Sequence, residues 1–203
     1  MADILYFLIV SVLLTLAPGP DIMFVIAQSI SKDRFAGIMT ALGLCTGLIF
    51  HTMAAALGLS IIIYKSAIGF QIVKYLGAAY LLYLALSALR EKGNMPVKTA
   101  RLGYRQLYVR GIFMNILNPK VSLFFLAFLP QFIPSNSGNA PLLMVMLGAI
   151  FMAQAIAVFI LVSVFAEFMT SSLKKNSLFS EIMRYFKAGL FAFVGIKLAL
   201  YKE

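Results

Sequence analysis

Two stretches decide how this chain folds: Thr15-Leu-Ala-Pro-Gly-Pro-Asp-Ile-Met-Phe24 and Asn115-Ile-Leu-Asn-Pro-Lys-Val-Ser-Leu-Phe124. Each sets proline beside a charged residue within a long apolar run. Asp21 is the sole charge between Ile4 and Ser31, and residues 121–166, directly after Lys120, carry none. A proline in a helix interior removes a backbone donor and clashes one turn back, at a cost of ~3 kcal/mol or more. At membrane depth the freed backbone groups survive only when buried in protein or lining a wet cavity. Residues 4–17 are too few to cross a bilayer alone, so the first break is expected inside it. Pro119, nine residues past Arg110, is expected at depth as well.

The rest of the sequence supports a membrane solvent. The 203 residues are 62% hydrophobic and only 12% charged, against about 25% charged in ordinary soluble domains, and the mean hydropathy is +0.96. A soluble globular enzyme, a disordered chain and a disulfide scaffold are excluded; Cys45 has no partner cysteine. The N-terminus, with Asp3 where a basic region belongs and Pro18-Gly19-Pro20 after the apolar run, does not read as a signal peptide.

A hydrocarbon core of ~30 Å needs about 20 helical residues. Charge-free lengths predict six transmembrane helices at about 4–30, 37–63, 67–89, 110–132, 141–166 and 182–201, with Lys74 close enough to the start of the third to snorkel. The last is the shortest apolar stretch, and an interfacial sixth helix is the alternative. The chain is read as one transmembrane domain over 1–203: a three-helix repeat over 1–89, a basic connector over 90–110, and a second repeat over 111–203.

The net charge of +10 is distributed unevenly. Eleven basic residues (Lys32, Arg34, Arg90, Lys92, Lys98, Arg101, Arg105, Arg110, Lys174, Lys175 and Arg184) fall in connectors on one side of a six-helix layout. The positive-inside rule makes that side cytoplasmic and puts both termini outside. Basic residues between apolar spans read as membrane topology rather than nucleic-acid binding.

The two breaks lie about half a chain apart. Three helices per half is an odd number, so similar halves run in opposite directions. Corresponding broken helices in inverted repeats point to a transporter's midplane site. The expected fold is thus an all-α membrane protein of two inverted three-helix repeats, with helices 1 and 4 broken at Pro-Gly-Pro and Asn-Pro-Lys.

The run Ala17-Pro-Gly-Pro-Asp21, the segment Gly77-Ala-Ala-Tyr-Leu-Leu-Tyr-Leu-Ala85, and the block Phe113-Met-Asn-Ile-Leu-Asn-Pro-Lys120 through Phe124-Phe-Leu-Ala-Phe-Leu-Pro-Gln-Phe132 resemble the LysE/RhtB family of amino-acid exporters. The resemblance runs along essentially the whole chain. It implies six helices and efflux of an amino acid or derivative (threonine, homoserine, leucine or lysine type), driven by the proton gradient across a bacterial inner membrane. It leaves the substrate open.

Asp21 is a candidate to alternate between protonated and charged forms or to hold a substrate ammonium; the competing reading is an N-cap bonding the amides of Met23 or Phe24. Lys120 is a candidate partner for Asp21 or anchor for a substrate carboxylate, against a snorkelling lysine. Asn115 and Asn118 offer amides to a substrate or to the carbonyls that Pro119 leaves unpaired. Pro18, Gly19, Pro20 and Pro119 shape the breaks, and the half-helices beyond them present free amides to an anion. His51 is a proton-relay candidate, with an interhelical hydrogen bond as the blander reading. Gln28, Gln131, Thr46 and Gln154 are polar residues of the spans, read chiefly as structural. Gly43-Leu-Cys-Thr-Gly47 fits a small-residue packing face, compatible with a homodimer.

One histidine and one cysteine make no ordinary zinc site, and no phosphate-binding glycine loop is present. Neither enzyme activity nor a cofactor is expected. The partners implied are a small-molecule substrate, protons and lipid. A channel or ion transporter on the same scaffold is the alternative function. A non-transporting assembly protein leaves two broken helices without a purpose.

Overall fold

The computed structural model describes residues 2–17, 19–59, 67–90, 102–134, 137–168 and 177–200. Among these, all regular structure is helical: α1 (Ala2–Leu16), α2 (Pro20–Ser31), α3 (Arg34–Ala54, continued by a π-helical turn at Ala55–Leu59), α4 (Ala67–Arg90), α5 (Tyr104–Ile116), α6 (Pro119–Leu123, continued by a π-helical Phe124–Phe128 and a 3-10 turn at Leu129–Phe132), α7 (Ala140–Phe168) and α8 (Ser177–Leu200). Several helices start earlier than their charge-free cores, α5 at Tyr104 rather than 110 and α8 at Ser177 rather than 182. Helix continues past the apolar stretch because polar side chains at a span's ends reach the wet interface.

Two unbroken helices are long and apolar enough to cross a membrane, Arg34–Leu57 and Ala140–Ala166. Two bent pairs qualify if each counts as one span: Ile4–Leu16 with Pro20–Ser31, bent by 57°, and Tyr104–Ile116 with Pro119–Phe132, bent by 48°. The chain is a multi-pass membrane protein. Lys92, Lys98, Arg101, Lys174 and Lys175, on which part of the sidedness argument rests, lie outside the described residues.

The prolines explain where the bent pairs break. A residue before proline is pushed out of the helical region. Gly19, before Pro20, is extended at φ −142°, ψ 178°; Asn118, before Pro119, lies at φ −82°, ψ 107°. Each proline then occupies the first helical position, where no N–H is needed. No described residue has positive φ, so the breaks need no left-handed backbone.

Glycines bring α3 and α5 into backbone contact. A Cβ on Gly43 would lie 2.0 Å from the Tyr108 carbonyl oxygen, one on Gly111 2.5 Å from that of Thr40, and one on Gly47 2.7 Å from Asn115 Cβ. The packing face foreseen at Gly43–Gly47 is therefore occupied by α5 of the same chain. At the Lys32 end of this seam, Asp33 caps α3 through the Ala36 amide (2.8 Å) and accepts from the Tyr104 hydroxyl (2.7 Å). Lys32 lies 3.7 Å over the Tyr104 ring and donates to the Leu102 carbonyl at 3.1 Å. Desolvation pushes the Asp33 carboxyl upward; the Tyr104 hydroxyl, the Ala36 amide and Lys32 outweigh it and hold it below its usual range.

A phenylalanine cluster ties the broken helices to α7. Phe124 stacks near Phe128 (5.0 Å between centroids) and Phe151 (5.1 Å), and Phe7 meets Phe132 at 5.1 Å. Lys74, expected to snorkel, is instead buried, 3% exposed, its ammonium 4.8 Å from the Tyr75 ring. A lysine on a helix packed by neighbours follows that packing rather than the nearest end of its span.

Candidate functional site

The two breaks meet. Lys120 Nζ lies 2.8 Å from Asp21 Oδ2 and 3.1 Å from Oδ1, with both side chains 5% exposed. The ammonium also donates to the carbonyls of Leu14 (3.3 Å) and Ala17 (3.4 Å) at the end of α1. Lys120 thus neutralises Asp21 and satisfies carbonyls that α1 leaves open where it stops. Helix dipoles favour both charges, since the cation sits at the C-terminal end of α1 and the anion in the first turn of α2. Asp21 and Lys120 occupy the same helical position, each directly after the proline that opens its helix.

Asp21 does not cap α2. The N-cap is Gly19, and among the described residues the helix has no side-chain cap hydrogen bond. The carboxylate turns to the ammonium because a charge-to-charge bond in a low-dielectric setting exceeds one to an amide. Gly19 makes the room: a Cβ there would stand 2.6 Å from Asp21 Oδ1 and 3.1 Å from Lys120 Nζ. Lys120, buried on α6, does not snorkel.

Asn118 is the N-cap of α6, its Oδ1 accepting from the Lys120 amide at 3.1 Å. Its Nδ2 is buried with no hydrogen-bond partner, as are Asn115 Oδ1 and Gln28 Nε2. The Asn115 carbonyl, in the turn before the break, meets His51 Nε2 at 3.0 Å; this interhelical bond ties α3 to α5. Gln131 donates to the Ala127 carbonyl one turn back in its own helix (3.0 Å), and Thr46 meets Tyr108 across the α3–α5 seam (2.9 Å). Pro18 lies outside the described residues. The structure brings Asp21, Lys120, Gly19, Pro20, Asn118 and Pro119 together; Gln131 bonds locally.

Sequence reasoning missed the Leu14 and Ala17 carbonyls, and no sequence signal marks a backbone acceptor. Gln154, read as structural, bonds between helices: its Nε2 donates across α7–α1 to Thr15 Oγ1 at 3.0 Å and to the Ser11 carbonyl at 3.5 Å. Among the described residues no cluster of metal-ligating side chains occurs.

The LysE type translocator family model matches residues 12–202, and the chain belongs to that family. It is 32% identical to the uncharacterized membrane protein YrhP of Bacillus subtilis (strain 168), over 98% of this chain and all of that one. It is 36% identical to the homoserine/homoserine lactone efflux proteins of Salmonella typhimurium and Salmonella typhi over 63% of each chain. No solved structure matches.

Proposed function

We propose that this protein exports a small amino acid or amino-acid derivative by alternating access of two inverted three-helix repeats, with Asp21 and Lys120 as the substrate-coupled pair. The observation that carries the reading is the buried Asp21–Lys120 bridge across the two breaks. In the structure the two charges satisfy one another. A zwitterion offers an ammonium to Asp21 and a carboxylate to Lys120, so it can replace the bridge without leaving either charge bare. Proton coupling follows the same logic, since a protonated Asp21 releases Lys120. The matched positions of the two residues support equivalent halves, and the unpartnered amide atoms of Asn115, Asn118 and Gln28 suit a polar solute. The names of the Salmonella relatives favour homoserine-like substrates.

The eleven basic connector residues support an inner-membrane orientation with both termini outside. Reporter fusions within 90–110 test it: extracellular accessibility there overturns the topology.

The deciding experiment is counterflow of labelled amino acids in proteoliposomes. Exchange is expected for the wild type and is lost in Asp21→Asn at equal insertion. Conductance without exchange identifies a channel instead, and full exchange by Asp21→Asn removes that carboxylate from the mechanism.

A further inference from the structure

Six serine and threonine residues are buried among those described: Ser11, Thr15, Ser29, Thr40, Thr52 and Ser163. Five donate their hydroxyl to the carbonyl one turn back, at 2.8–2.9 Å. This is the default for a hydroxyl inside a transmembrane helix, where water is absent. Ser11 breaks the pattern. It is 0% exposed, and its Oγ has no hydrogen-bond partner. Gln154 reaches this same turn of α1 from α7, giving its Nε2 to Thr15 Oγ1 and the Ser11 carbonyl. Its Oε1 is likewise buried and unpartnered. A buried hydrogen-bonding atom left unpaired costs about 1–3 kcal/mol, and here two sit on residues already in contact.

We propose that Ser11 and Gln154 form a subsite that recognises a hydroxyl group on the side chain of the transported amino acid. The chemistry is complementary: a substrate hydroxyl donates to Gln154 Oε1, which can only accept, and accepts from Ser11 Oγ, which can donate. The Leu14 carbonyl meets Lys120, and Ser11 stands about one turn before Leu14 on the same helix. An amino acid with its charged end at Asp21–Lys120 and its side chain directed toward the N-terminus of α1 would carry a side-chain hydroxyl toward the Ser11 turn. A branched apolar side chain would leave both atoms unpaired, and so be disfavoured. The subsite rests on the reading of the ion pair as the head-group site.

The test is counterflow in proteoliposomes with homoserine against norvaline, which is close in size and has a methyl in place of the hydroxyl. The wild type is expected to prefer homoserine. Gln154→Leu and Ser11→Ala should each lower the homoserine-to-norvaline ratio about tenfold, the effect of losing one hydrogen bond, while norvaline exchange is kept or raised. Ser11→Ala removes only an oxygen, so it decides the matter if Gln154→Leu inserts poorly. An unchanged ratio in Ser11→Ala overturns the subsite and leaves the ion-pair reading intact. Asp21→Asn separates the two readings in the other direction: it should stop both substrates. If it instead exchanges both at the wild-type ratio, the head-group assignment fails and takes with it the pose on which the subsite rests. A wild type that exchanges no amino acid overturns both.

Discussion

Lys120 and Asp21 lie 99 positions apart in the chain and 2.8 Å apart in space. Each stands second in a helix that begins with proline, so the bridge joins corresponding points of two interrupted helices. Removing one partner of a buried pair strands the other charge, at about 3–5 kcal/mol. Asp21→Asn and Lys120→Met should each destabilise the folded protein on that scale. The double variant Asp21→Asn/Lys120→Met should regain most of the loss, because no bare charge remains. Transport should be absent in all three. Unfolding in detergent and counterflow read the two effects separately, and a double variant no more stable than the singles would contradict the account.

Gly19→Ala tests whether the pair's geometry matters apart from its charge. The added Cβ would crowd Asp21 Oδ1 at 2.6 Å, displacing the carboxylate without changing any charge. Misplacement of a reacting group by 1 Å can cost about a hundredfold in rate. The expected result is a transport rate lowered at least about tenfold at normal insertion levels, measured as initial counterflow velocity.

Gly43→Leu should fail earlier, at assembly. Its side chain would start 2.0 Å from the Tyr108 carbonyl oxygen, a backbone atom that cannot turn aside. Overpacking a filled interior costs about 1–3 kcal/mol or more. The monodisperse fraction in detergent should drop sharply, whereas Leu42→Ala, one residue along and exposed, should leave it unchanged.

Tyr104→Phe probes the Asp33 contact through pH. The Asp33 carboxyl is held below its usual range in the folded protein, so the stability it contributes is fully present above the unfolded value of ~3.9 and is lost as pH falls through the folded value. Removing the hydroxyl raises the folded value toward the unfolded one. The variant should therefore melt below the wild type at about pH 6, and the gap should close as the pH falls below the folded Asp33 value. The difference at neutral pH should be small, since this contact is near the surface. A gap that persists unchanged in acid would show that the hydroxyl acts otherwise than through Asp33.

The breaks could be located from sequence because proline's missing donor and the restriction it places on the preceding residue are local rules, obeyed by Gly19 and Asn118 whatever surrounds them. The long helices could be located because hydrocarbon demands an apolar run of fixed length, and α4 at Ala67–Arg90 and α7 at Ala140–Phe168 follow their apolar runs closely. Local rules stop at the partner. Nothing in Ala17-Pro-Gly-Pro-Asp21 states that the carboxylate leaves its own helix amides for Lys120, or that the ammonium also gathers the Leu14 and Ala17 carbonyls. Nor does any pattern distinguish Ser11 from the hydroxyls that bond one turn back, or separate a snorkelling Lys74 from a buried one. These are decided by which helix packs on which, a sum of many weak contacts between segments far apart in the chain. The sequence alone therefore determined a membrane protein with two proline-interrupted helices and a charge at each interruption. Only the tertiary structure decided that the two charges meet, because a salt bridge depends on distance in space and a one-dimensional pattern carries no distance between remote segments.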